Sequence, residues 1–408
     1  MKRSVKRTDA TSTRIPISAG IVASIVAFSA AFSIVIGGLE AAGASHTQAV
    51  SGLVILAVVS GAISVFMSWR TRMPLTAAWS TPGAALLMAT PIVAGGWPVA
   101  VGAFVVCGIL LAVTGFFPVV SRLVQRIPAT LIQAMLAGIL FPLVVAPVSA
   151  VASSPLTVAP ILIVWLILNR FRPQWAILGA LVTTLTVIGF HITSTGITFA
   201  PAEFIPRLEW TTPEFTLQAC ISLALPLYIV TMASQNIPGV AVMQSFGYTI
   251  PWRSPLALTG VGSALTAPLG GHAINLAAIS AALIAGPEAG PHGRRWIAGM
   301  SAGGTSIMLG ILSPGLATLI LAGPAGVLPA LAGVALLPTF VSAISQSFAI
   351  AAQRVPAALT FLVAASGISV LGLSSAFWAL ATGLVVRGVL TIGRPRGAHA
   401  PKATRDTP

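Results

Sequence analysis

A carboxyl group inside an apolar run is the scarcest chemistry this chain offers. Glu40 is the only acid within or at the edge of such a run, in Ile36-Gly-Gly-Leu-Glu-Ala-Ala-Gly43. The other acids, Asp9, Glu203, Glu209, Glu214, Glu288 and Asp406, fall in polar tails or loops. An ionisable group in lipid is costly, and it faces a cavity or a partner. Glu40 is therefore read as a proton-coupling site, against the alternative of a solvated carboxylate at the outer interface. His272 is the second candidate, in Pro268-Leu-Gly-Gly-His-Ala-Ile-Asn275. There Gly-Gly is expected to break the backbone before a short helix, whose free N–H groups and dipole attract anions. His272 would add a proton or a hydrogen bond, with Asn275 one turn further on. The matching helix start is Trp79-Ser-Thr-Pro-Gly83, where Ser80 or Thr81 can cap and Pro82 suits the first turn. A third cluster is Ala233-Ser-Gln-Asn-Ile-Pro-Gly239. Its side-chain amides, Gln235 and Asn236, need partners in an apolar setting, and its Pro-Gly pair is expected to end the helix.

The elements that must position these residues are membrane spans. Of 408 residues, 56% are hydrophobic and 7% charged, too few charges to cover a water-facing surface. Apolar runs of bilayer length recur without strand-like alternation, which selects a helical bundle over a barrel. Fourteen spans are expected, at about 17–39, 49–69, 76–94, 98–120, 128–146, 155–169, 174–194, 215–234, 254–267, 273–286, 296–312, 324–345, 356–371 and 373–391. With both ends inside, this count places 20 of the 21 basic residues on the cytoplasmic side and only Arg207 outside. Dropping one span would move roughly half of them across. The net charge of +14 thus reflects topology and is no nucleic-acid footprint. Cys107 and Cys220 read as buried apolar residues, and no metal-ligand spacing or cofactor motif exists.

The polar stretch from His191 to Pro213 divides the chain into two halves of seven spans, which an odd number makes inverted. The expected organisation is a cytoplasmic tail (1–14), a first repeat (15–195), an extracytoplasmic loop (196–214), a second repeat (215–392) and a cytoplasmic tail (393–408). Pro74-Leu75 and Pro268-Leu269 lie 194 residues apart, each before a short apolar run. Glu40 and Gln235 are separated by a similar 195, so they are candidates for equivalent places in the two halves. Segments 3 and 10 would be half-helices aimed at one small anion near the midplane. Phe28, in the first span, is expected to face lipid, with lining a site as the alternative. Trp69, Trp97, Trp210, Trp252 and Trp296 sit at span ends, as interfacial belts do. Gly299, Gly303 and Gly310 are expected to serve helix packing.

Gln235-Asn-Ile-Pro-Gly239, then Phe246-Gly-Tyr248, then Gly270-Gly-His-Ala-Ile-Asn-Leu-Ala-Ala-Ile279 resemble the benzoate:proton symporter family, and length and proline pattern extend the likeness over nearly the whole chain. The resemblance implies the architecture of uracil and xanthine permeases and of sulfate and bicarbonate transporters, with a core domain moving against a gate domain. It also implies an aromatic carboxylate taken up with protons. The uracil-permease relatives carry acids in the eighth and tenth spans; here those regions offer Gln235, Asn236, His272 and Asn275. The expected function is proton-coupled import of benzoate or a similar aromatic carboxylate across the cytoplasmic membrane. Ser80, Thr81, Gln235, Asn236, His272 and Asn275 would bind substrate, and Glu40 or His272 would carry the proton. A homodimer is expected by analogy of fold. The alternatives are a same-fold transporter of a nucleobase or inorganic anion, or an anion channel. No Asp or Lys lies in any span, so the intramembrane enzyme classes that need them lack their residues.

Overall fold

The computed structural model describes residues 13–117, 122 and 126–391. Most of both expected tails, with Asp9 and Asp406, and the end of the fourth expected span lie outside the described residues. The chain is mainly helical. In order, the elements are α1 (Arg14–Ala41), α2 (His46–Thr71), β1 (Ala77–Trp79), α3 (Thr81–Met88) and α4 (Trp97–Phe116). Then come α5 (Ala129–Ser153), α6 (Pro155–Phe171), α7 (Ala176–Thr195) and α8 (Leu217–Ser245). The second half continues with α9 (Arg253–Thr266), β2 (Ile274–Leu276), α10 (Ala278–Ala285), α11 (Trp296–Leu321), α12 (Val327–Ser347), α13 (Arg354–Ala365) and α14 (Ser375–Thr391). Among the described residues, eight helical stretches are long and apolar enough to cross a membrane. The expected spans at 76–94 and 273–286 are each a three-residue strand followed by an eight-residue helix.

The two strands pair with each other. Ala77 faces Leu276, Ala78 faces Asn275 and Trp79 faces Ile274 in an antiparallel register. This pairing brings the starts of α3 and α10 together, although nearly 200 residues separate them in sequence. Around the strands, the close helix pairs fall into two groups. One joins α1, α2, α4, α9 and α11; the other joins α5 to α12 and α13, α6 to α7, and α13 to α14. Small residues set these approaches. A Cβ on Gly303 would lie 2.5 Å from the Gly61 carbonyl oxygen, and one on Gly299 would lie 2.2 Å from Ser68 Oγ. Gly260 meets Ala112 equally closely, locking α9 onto α4. Apolar side chains gain little by meeting each other rather than lipid tails, so close backbone contact is what holds such helices together.

Two expectations change here. The helix does not end at Pro238-Gly239: α8 runs on to Ser245. Proline lacks the N–H that would bond four residues back, and its ring crowds that carbonyl. The wide π turn at Met232–Asn236, immediately upstream, absorbs the mismatch. Trp97 is not part of an interfacial belt. It is 5% exposed, and its indole N–H donates to Thr211 Oγ1 at 3.0 Å.

Candidate functional site

A cavity of about 950 Å³, its open mouth included, lies where α1, α2, α8, α11 and α12 surround the paired strands and the starts of α3 and α10. Its wall is largely apolar. Phe28 and Trp79 meet edge to face at 5.6 Å between ring centroids, and Phe32 stacks behind Phe28 at 5.7 Å. Contrary to the expectation from sequence, Phe28 does not face lipid: it is 5% exposed and lines the cavity. Small residues of α1, Ala27, Ala30 and Ala31, make room beside it. The polar groups are hydroxyls and one amide: Ser24, Thr76, Thr81, Gln235, Ser280 and Thr339 among them. No charged side chain lines this cavity among the described residues. Such a site is mostly apolar with a few directed polar groups, the usual make-up of a small-molecule pocket.

Of the residues singled out in the sequence, Thr81 and Gln235 reach the cavity wall. Gln235 does so from the π turn of α8, a feature that often marks functional positions. The next residue, Asn236, points the other way. It is fully buried, and its Oδ1 accepts the Leu276 N–H at 2.9 Å, so it holds β2 against α8.

Ser80, His272 and Asn275 are likewise fully buried behind the wall. Ser80 caps α3: its Oγ accepts the Gly83 N–H at 3.1 Å and a hydrogen bond from Thr231 Oγ1 at 2.9 Å. Nε2 of His272 lies 3.0 Å from the Ser80 carbonyl oxygen. With its amide turned so that both of its groups find partners, Asn275 donates to the Leu276 carbonyl at 2.9 Å and accepts from the Ser80 N–H at 3.1 Å. These side chains bind the two strand–helix units into one body.

Glu40 is elsewhere. It sits nine residues beyond Ala31 on α1, about 14 Å along the helix axis. Its Oε1 is 2.8 Å from His46 Nδ1, and both side chains are about one-third exposed, at 34% and 30%. Gln235 lines the cavity and Glu40 does not, so the two are not placed alike with respect to it. His46 itself lines a second cavity with Glu203, Arg207 and Thr318.

Sequence reasoning assigned no role to Ser24, Thr76, Trp79, Ser280 or Thr339. The one local signal was composition: Thr76-Ala-Ala-Trp79 interrupts an apolar run with small residues just before a cap. Ser24 and Thr339 lie on helices whose polar residues carry no pattern that separates a cavity face from a packed one.

A family model described as "Benzoate membrane transport protein", BenE, matches residues 10–389. Two curated relatives cover nearly the whole chain. The inner membrane protein YdcO of Escherichia coli is 32% identical over 384 residues, 93% of this chain and 97% of the relative. A benzoate membrane transport protein of Acinetobacter baylyi is 31% identical over 377 residues, 91% of this chain and 94% of the relative. Among solved structures, the transmembrane domain of a cyanobacterium bicarbonate transporter, BicA, aligns with a TM-score of 0.55 at 17% identity, covering 94% of this chain and 99% of that one. The murine Solute Carrier 26 family member A9 anion transporter, in its inward-facing state, aligns at 0.59 and 10% identity over 91% and 68%. At such identities these two report the fold alone. The chain is a multi-pass membrane protein and belongs to the BenE family of benzoate membrane transport proteins.

Proposed function

We propose that this protein imports benzoate or a closely similar aromatic carboxylate together with protons, by alternating access. The cavity carries the reading. Its aromatic wall of Phe28 and Trp79 suits a planar ring, and a short helix starting at the wall offers backbone N–H groups for a carboxylate. The lack of a fixed charge favours an anion that a nearby acid would repel. Thr81 and Gln235 contact the substrate in this reading. Ser80, Asn236, His272 and Asn275 hold the short helices in place.

The architecture proposed is fourteen spans in two inverted halves of seven, with α3 and α10 as half-helices. It is supported by seven helical stretches on each side of the 196–214 loop among the described residues. The helix groups joined through α2–α11 and through α5–α12 would be the two bodies that rock against each other. Glu40, paired with His46, is the proposed proton carrier. In this reading both termini face the cytoplasm of a bacterium, and the protein works in the inner membrane as a homodimer.

Uptake of labelled benzoate into cells that express the protein, with unlabelled competitors, tests the substrate class. Benzoate and ring-substituted benzoates should compete, whereas uracil, bicarbonate and sulfate should not. Competition by those solutes alone would assign the site to a nucleobase or an inorganic anion. Conductance without accumulation would make it a channel.

A further inference from the structure

The starts of α3 and α10 form a near-symmetric pair in backbone and an unequal pair in chemistry. The residue capping α3, Ser80, has φ −79° and ψ 95°; the residue at the same place before α10, Ala277, has φ −81° and ψ 107°. Ser80 carries an acceptor and uses it on the Gly83 N–H. The second helical residue, Pro82, has no N–H. Most of the hydrogen-bonding capacity at the start of α3 is therefore already spent within the protein. Ala277 carries no acceptor, and among the described residues no side chain caps α10. The N–H groups of the first helical turn have no partner within a helix, so at α10 they remain available to a ligand.

A second, independent observation points to the same place. Thr76 is 5% exposed, lines the cavity, and its Oγ1 has no hydrogen-bond partner among the described residues. A buried hydroxyl left without a partner is unfavourable. Thr76 adjoins the uncapped end: its carbonyl oxygen accepts the Ala277 N–H at 3.0 Å. At the far end of α10, the Arg295 guanidinium donates to the carbonyl of the last residue, Ala285, at 2.6 Å. A cation there complements the negative end of the helix dipole.

We infer that the substrate carboxylate docks on α10 alone, as the missing N-cap of that helix, with Thr76 Oγ1 donating a hydrogen bond to it. The inference rests on the carboxylate reading of the cavity and adds which end binds and through which side chain. Helix α3, capped by Ser80, serves as a scaffold that presents Thr81 and Trp79 to the ring.

Benzoate titration of the purified full-length protein, by calorimetry in detergent, separates the possibilities. Ala277→Ser gives α10 the cap that α3 has, and should weaken benzoate binding about fivefold, because the ligand must displace a cap of ordinary strength. Ala277→Asp builds the carboxylate into the chain and should abolish binding. Both variants should keep or raise the unfolding temperature, since a cap stabilises its helix. Thr76→Val should weaken binding about tenfold, the usual loss for one hydrogen bond to a charged group, and Thr76→Ser should restore it. Wild-type affinity in both Ala277 variants, or equal affinity in Thr76→Val and Thr76→Ser, would overturn the inference. A wild-type protein that binds no benzoate would overturn the carboxylate reading, and the inference with it.

Discussion

Nε2 of His272 lies 3.0 Å from the carbonyl oxygen of Ser80, across the seam between the two strand–helix units. A carbonyl only accepts, so the ring proton sits on Nε2. Nδ1, buried and without a partner among the described residues, is left as an acceptor. The Ser80 N–H donates to the Ala273 carbonyl at 2.9 Å, so both backbone groups of the α3 cap are bonded by the second half of the chain.

The first expectation is that His272→Ala destabilises the protein. It removes one of the two donors to the Ser80 carbonyl, which keeps the Ala84 N–H at 2.8 Å, and opens a cavity in the seam, a combined loss of about 1–3 kcal/mol. Thermal unfolding of the purified variant should show it as a drop of several degrees. An unchanged unfolding temperature would mean that the seam does not depend on this bond.

Aromatic contact should set selectivity. Phe28→Ala removes one face of the wall formed with Trp79, and should raise the KM for benzoate about tenfold, from an aromatic pairing of about 0.5–1.5 kcal/mol plus lost apolar burial. Its effect on a short aliphatic carboxylate should be much smaller. Equal losses for both would remove Phe28 from substrate recognition.

The helix seam of α2 and α11 gives a stability test. A Cβ at Gly303 would lie 2.5 Å from the Gly61 carbonyl oxygen, which belongs to backbone and cannot swing aside. Gly303→Val should lower stability and folded yield, whereas the same change at Gly304, where nothing lies within 4 Å of a built Cβ, should be tolerated. Similar yields of the two variants would contradict the close-contact account.

Outside the spans, Tyr248 OH donates to the His292 carbonyl at 3.1 Å, and its ring stacks on His292 at 4.2 Å. Burial pushes the Tyr248 hydroxyl above its ordinary value of 10.0, while the Arg295 charge and hydrogen bond pull it back down. With the folded value raised, the protonated phenol contributes stability that is fully present below pH 10.0 and is lost as pH rises through the folded value. Tyr248→Phe should therefore cost about 1 kcal/mol at neutral pH, with the gap to wild type closing in strong alkali. A pH-independent gap would contradict this assignment.

The helix runs, the cap at Ser80 and the packing glycines were legible because each rests on local physics: apolar length, an acceptor beside Pro82, and small side chains where backbones touch. The two short interruptions were visible as Gly, Pro and cap residues. Their pairing as β1 and β2 was not, because Ala77–Trp79 and Ile274–Leu276 carry no mutual register signal. The cavity wall was legible only in part. Gln235 and Asn236 look alike in sequence, and only the π turn sends one to the cavity and the other to Leu276 N–H. Polar type singled out Ser80, His272 and Asn275 but could not tell a cavity-lining group from one that braces the two strand–helix units. Glu40 stood out by rarity, yet its nearest partner, His46, is set by how α1 hands over to α2.

Proton coupling is the central claim, and gradient-driven transport tests it most directly. Purified protein in sealed proteoliposomes should accumulate labelled benzoate when an inward proton gradient is imposed, and the accumulation should collapse on adding a protonophore. Glu40→Gln should still bind benzoate and equilibrate it, but should lose accumulation above equilibrium. Benzoate uptake by the wild type that is indifferent to the gradient would contradict the account, and full accumulation by Glu40→Gln would take Glu40 out of it.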